Sequence, residues 1–106
     1  MYDMDARWFK DHLKEELDDA NLYARKAIEI KPMKAEWSKL LSTMATEEME
    51  HAGYLYKMFN TYYTIMSETY KDSIPDFIEE TKQCVDDMYL DTAPEIKVLL
   101  DMYSHM

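Results

Sequence analysis

The run Glu48-Met49-Glu50-His51 is where the chemistry of this sequence concentrates. Residues three apart on a helix are neighbours on one face, so the Glu48 carboxylate and the His51 imidazole can converge on one ion. The same spacing also makes surface ion pairs and satisfied core histidines, so its meaning depends on what surrounds it. Stepping the segment at 100° per residue places Trp37, Leu41, Met44, Glu48, Ala52, Leu55, Phe59, Tyr62 and Met66 within about 40° of one line. Glu48 is the centre of that apolar stripe, with His51 roughly 60° to one side. The preceding segment gives a second stripe, Phe9, Leu13, Glu16, Ala20, Tyr23, Ala27 and Ile30, again with a glutamate in its middle. Glu47, Glu50 and Glu15 fall away from these lines, where charged residues belong.

An ionised, unpaired carboxylate in an apolar seam costs several kcal/mol. Two facing glutamates also repel and raise each other's pKa. A divalent metal bound by Glu16, Glu48 and His51 removes both penalties, and mixed oxygen and imidazole donors suit iron, manganese or zinc better than magnesium or calcium. Two-metal carboxylate sites in helical bundles take one Glu from each of two helices and Glu-x-x-His from each of two others. This chain offers half of that set, and two chains about a two-fold axis offer all of it.

The elements that position these residues are helices. Gly 1 and Pro 3 among 106 residues leave little turn material, and 47% hydrophobic residues exclude a disordered chain despite 32% charged ones. One small domain over residues 1–106 is expected. A first helix from about Asp3 stops at Ile30 before Pro32, and a second runs from about Met33 to Thr69. A tight turn at Lys31-Pro32 makes them an antiparallel hairpin, roughly 40 and 50 Å long at 1.5 Å per residue. Ser73, as N-cap, and Pro75 open a third helix to about Leu90. Thr92-Ala93-Pro94-Glu95 reads as a capping box opening a short fourth helix, Ala93 to Tyr103. The expected fold is therefore all-α: a hairpin plus two shorter helices, completing a four-helix bundle by dimerisation.

A formal net charge of -10 repels nucleic acid and anionic lipid and concentrates cations. The start, Met1-Tyr2-Asp3-Met4-Asp5, does not read as a signal peptide, and no apolar run is long enough to span a membrane. A lone Cys84, with no CxxC pair, fits a reducing compartment, the cytoplasm by default.

The stretch Met44-Ala45-Thr46-Glu47-Glu48-Met49-Glu50-His51-Ala52 resembles the second ligand helix of the rubrerythrin and ferritin-like family, where Glu-x-x-His-Ala is typical. Leu13-Lys14-Glu15-Glu16-Leu17-Asp18-Asp19-Ala20 with Tyr23-Ala24 resembles that family's first ligand helix, and Ala93 to Leu100 resembles the final segment of its short members. The resemblance implies metal ligation by Glu16, Glu48 and His51, two iron ions per homodimer, and Tyr23 as a phenol outside the ligand shell. It further implies reaction of ferrous iron with oxygen or peroxide, with an external electron donor. Full-length members carry a second Glu and a second Glu-x-x-His. No such motif occurs here, although Glu79 or Glu80, and Asp101 with His105, are loose stand-ins within one chain.

Other residues have blander readings beside functional ones. His12 is a further ligand or a partly exposed histidine. Asp19 guides ions inward or is simply solvated. Tyr54, Tyr56, Tyr62 and Tyr63 scavenge oxidising equivalents or, more simply, pack. Gly53 permits close helix approach or is a tolerated imperfection worth about 1 kcal/mol. Two readings without redox chemistry stand beside the di-iron one: a non-catalytic helical interaction module, and a dimer with a structural zinc or manganese ion.

Overall fold

A computed structural model describes residues 5–106. The expected start of the first helix near Asp3 and most of the segment Met1–Asp5 lie outside the described residues. Within them, α1 (Ala6–Ile30) and α2 (Ala35–Tyr70) form the antiparallel hairpin, and α3 (Asp76–Ser104) follows a short 3-10 turn at Lys71–Ser73. Asp5 caps α1, its carboxylate accepting from the Trp8 backbone N–H at 2.9 Å. The hairpin turn is closed by the Met33 and Lys34 N–H groups, which donate to the Ile30 carbonyl at 3.0 and 2.8 Å.

α1 lies between the other two helices, packing on both, while α2 and α3 touch each other less. Its buried residues, Ala6, Phe9, Leu13, Leu17, Ala20, Ala24 and Ala27, recur at three- and four-residue steps. The small alanines let helices approach closely, and Phe9, Leu13 and Leu17 fill the core with Phe59 from α2 and Val85 and Ile96 from α3. Near the turn, the buried Ser38 hydroxyl donates to the Ala27 carbonyl, tying α2 to α1.

The structure corrects three expectations. First, the two short helices are one. α3 runs unbroken through Thr92-Ala93-Pro94-Glu95, with Pro94 inside it, and no capping box forms. Proline has no N–H to give the preceding turn and costs about 3 kcal/mol in a helix interior. Pro94 itself faces solvent, while Ile78, Val85, Ala93 and Ile96 make a buried stripe that spans the proline and holds both halves on the core. Second, Ser73 does not cap α3. Its hydroxyl donates back to the Tyr70 carbonyl at 3.0 Å, and Pro75 occupies the position before the helix.

Third, the buried line of α2 is Ser38, Ala45, Ala52 and Phe59, a strict seven-residue series displaced from the expected stripe. Trp37 and Met44, expected inside, are exposed. On α1, likewise, Leu17 and Ala24 are buried while Glu16 and Tyr23 sit at the edge of the core. α1 covers one flank of α2 and α3 meets α2 only lightly, so the far side of the α2 stripe stays open within a single chain.

α2 and α3 are joined by polar contacts. The Tyr56 hydroxyl donates to Asp86 at 2.8 Å, and Tyr63 donates to Glu79 at 2.6 Å. Tyr56 stacks on Tyr89 with centroids 4.2 Å apart. These contacts give two of the tyrosines a packing role. A Cβ at Gly53 would meet the Tyr89 hydroxyl at 3.6 Å, ordinary van der Waals contact, so the close approach does not require glycine. No helix among the described residues is long and apolar enough to cross a membrane.

Candidate metal centre

Antiparallel packing of α1 on α2 sets Glu16 of the first helix against Glu48 and His51 of the second. Glu16 follows Leu13 and precedes Leu17, both nearly fully buried, so its backbone is fixed by the core while its side chain emerges at the core's edge. Glu48 and His51 flank the same edge from α2, four residues before Ala52 and one before it. Among the described residues, Glu16, Glu48 and His51 are the cluster that could hold a metal ion, with one donor atom from each lying within 4.8 Å of the others.

His51 Nδ1 is 3.4 Å from Glu16 Oε2 and 3.9 Å from Glu48 Oε1. The carboxylates are 26% and 22% exposed, and the imidazole is 54% exposed, so the site is closed behind the acids and open beside the histidine. Glu16 Oε2 is buried and has no hydrogen-bond partner among the described residues. The Glu48 carboxyl is held above the usual carboxylate range, first by a hydrogen bond to Glu16 that only a protonated acid can make. Its burial and the Glu16 charge push the same way, while His51 opposes them.

Two acids that resist sharing a site, and a buried oxygen without a donor, describe a place that could hold a cation. A metal ion supplies the missing partner of Glu16 Oε2 and lets both acids ionise, and the donor set of two carboxylates and an imidazole fits a first-row transition metal. The three residues therefore fit the group.

The remaining sequence candidates fall elsewhere. Glu79 is engaged by Tyr63, and Glu80 is exposed on α3. Asp101 and His105 pair with each other at 3.6 Å in the last turn of α3. That turn lies at the hairpin end, where Lys31 Nζ donates to the Tyr103 carbonyl at 3.1 Å. None of the four joins the cluster, so one chain does not complete the ligand set in this way. His12 pairs with Glu15 at 3.4 Å and its ring lies 4.3 Å from that of Trp8, outside the cluster. Tyr23 is half-buried on α1, two turns beyond Glu16.

A helical fold with a carboxylate–histidine cluster between antiparallel helices defines a ferritin-like carboxylate protein. Residues 10–106 match the rubrerythrin family, and the chain belongs to that family. No curated relative and no solved structure matches the chain significantly. The family characteristically binds iron through carboxylates, and the cluster here is of that kind.

Proposed function

We propose that two copies of this chain pair so that Glu16, Glu48 and His51 of each surround two iron ions, and that the pair reacts ferrous iron with oxygen or peroxide. The observation that carries this reading is the buried, unpartnered Glu16 Oε2 converging with His51 Nδ1 and Glu48 Oε1 on one point. Three donors satisfy half of a two-metal site, and a two-fold axis supplies the other half.

When bound, two ferrous ions supply one electron each, which with two protons convert one peroxide to two waters. The chain's own residues do the rest. The carboxylates of Glu16 and Glu48 neutralise the cations and hold them apart from bulk water. His51 completes the donor set from α2, beside Glu48. The buried Leu13 and Leu17 on either side fix the Glu16 backbone beside the metal position. Tyr23 belongs outside the ligand shell, where its phenol can orient a carboxylate. An external donor returns the electrons. The exposed, unpaired Cys84 fits a reducing compartment, and we place the protein in the cytoplasm.

The test is metal content by mass spectrometry after anaerobic incubation with ferrous iron, for the natural chain and Glu48→Ala. About one iron per chain, lost in the variant, supports the shared site, with peroxide consumption as the next assay. Retention of zinc over iron supports a structural site, and no metal in either protein leaves the interaction module as the better account.

A further inference from the structure

One face of α2 stays unpartnered although it is apolar. Trp37, Leu40, Met44, Tyr54, Met58 and Ile65 are all exposed, and all lie within about 60° of His51 around the helix. Two series of seven-residue steps run along this side: Trp37, Met44, His51, Met58 and Ile65, and Leu41, Glu48, Leu55 and Tyr62. Together they are the a and d positions of a heptad seam, the pattern by which one helix packs along another. The series that α2 buries against α1 is a different one, Ser38 to Phe59.

The seam also carries a knob and a hole. Trp37 is the knob, 60% exposed despite its large indole. The hole is an open apolar cleft of about 530 Å³ where the start of α1 meets the second half of α2, lined chiefly by Phe9, Met58, Tyr62, Ile65 and Met66. Trp37 precedes Glu48 by eleven residues (48 − 37), and Tyr62 follows His51 by eleven (62 − 51). The knob and the hole are thus displaced equally, in opposite directions, from the metal ligands.

We infer that α2 pairs antiparallel with α2 of a second copy, so that the partner's Trp37 fills the cleft around Tyr62. In this register a positions face d positions, as antiparallel seams require. Trp37 faces the partner's Tyr62, Leu41 faces the partner's Met58, Met44 faces the partner's Leu55, and Glu48 faces the partner's His51. A single two-fold operation satisfies all of these layers at once. An unrelated partner would have to bring both a tryptophan and a matching cleft at the same separation, which makes a second copy the occupant. The central layer is the polar one. It sets the register, since a slip of one heptad would bury Glu48 and His51 against methionine and leucine.

The inference deepens the shared-site reading and rests on it for its polar layer, while the apolar layers are tested without iron. In a Cys84→Ser background, the pair Met44→Cys and Leu55→Cys should give a covalent dimer on mild oxidation. Met44→Cys alone should not, because the two copies of position 44 lie about 16 Å apart along the seam at 1.5 Å per residue. With Trp8→Phe, Trp37 is the sole tryptophan, and its emission should shift to the blue as the chain is concentrated. Trp37→Ala should raise the dimer dissociation constant at least ten-fold by sedimentation, run without metal and with one equivalent of zinc. A cross-link through Met44→Cys alone, an emission maximum unmoved by dimerisation, an undiminished dimer in Trp37→Ala, or a monomer under both conditions overturns the docking. Docking without bound iron overturns only the metal reading, and bound iron in a dimer indifferent to Trp37 overturns only the docking.

Discussion

Glu16 Oε2 and His51 Nδ1 approach to 3.4 Å across the α1–α2 interface, and the oxygen has no hydrogen-bond partner among the described residues. Leu13 and Leu17, both buried, fix the backbone on either side of Glu16. Its chemistry therefore depends on what binds between the two helices, and in the metal-free protein Glu16 and its neighbours Glu48 and His51 set the pH response of the site.

Glu48 gives that pH response its sign. Its folded-state pKa lies above the ordinary value of 4.5, so the proton is held more tightly in the folded chain than in the unfolded one. The associated stability is present below the unfolded pKa and is lost as pH rises through the folded pKa. The thermal midpoint of the metal-free protein should therefore fall over that interval, and Glu48→Gln should flatten the fall. Bound metal reverses the sign, because ligands must be deprotonated to bind it. An iron-free melting series that rises through the same interval, with the variant parallel to the natural chain, would count against the arrangement.

Glu16→Leu separates stability from binding. The substitution removes a buried oxygen that lacks a partner and extends the run of Leu13 and Leu17. The iron-free protein should gain about 1 kcal/mol in urea unfolding. Iron retention should drop by at least ten-fold. A destabilised iron-free variant would show that the Glu16 carboxylate is already satisfied without metal.

Pro94→Ala tests the continuity of α3. The alanine restores an N–H to the Leu90 carbonyl and removes a ring clash, on a face that is exposed. Stability should rise by about 1–3 kcal/mol, with iron content unchanged. A loss of stability would mean that the proline shapes a bend on which Ala93 and Ile96 depend.

The candidate cluster was legible in the residues because a carboxylate at the centre of an apolar stripe is costly, and the stripes of both hairpin helices carry one. Glu16, Glu48 and His51 do converge, through local spacing on α2 and the antiparallel register of α1. The division of α3 was misread for an equally local reason. Thr92-Ala93-Pro94-Glu95 contains every signal of a helix start, and those signals say nothing of a stripe running past them. The stripe from Ile78 to Ile96, buried on α1, outweighs a missing hydrogen bond.

What the sequence determined by itself is therefore what arises within a few turns of helix: the helical class, the hairpin and its turn, and which side chains share a face. Backbone propensity, proline sterics and the 3.6-residue period act at that range and need no neighbour. Which side of each apolar stripe is covered was decided by tertiary structure alone. α1 has two faces buried because α2 and α3 both pack on it. α2 has one, because α1 shields one flank and α3 meets it mainly through Tyr56 and Tyr63, and the flank holding Trp37, Met44 and Met58 remains open beside Glu48 and His51.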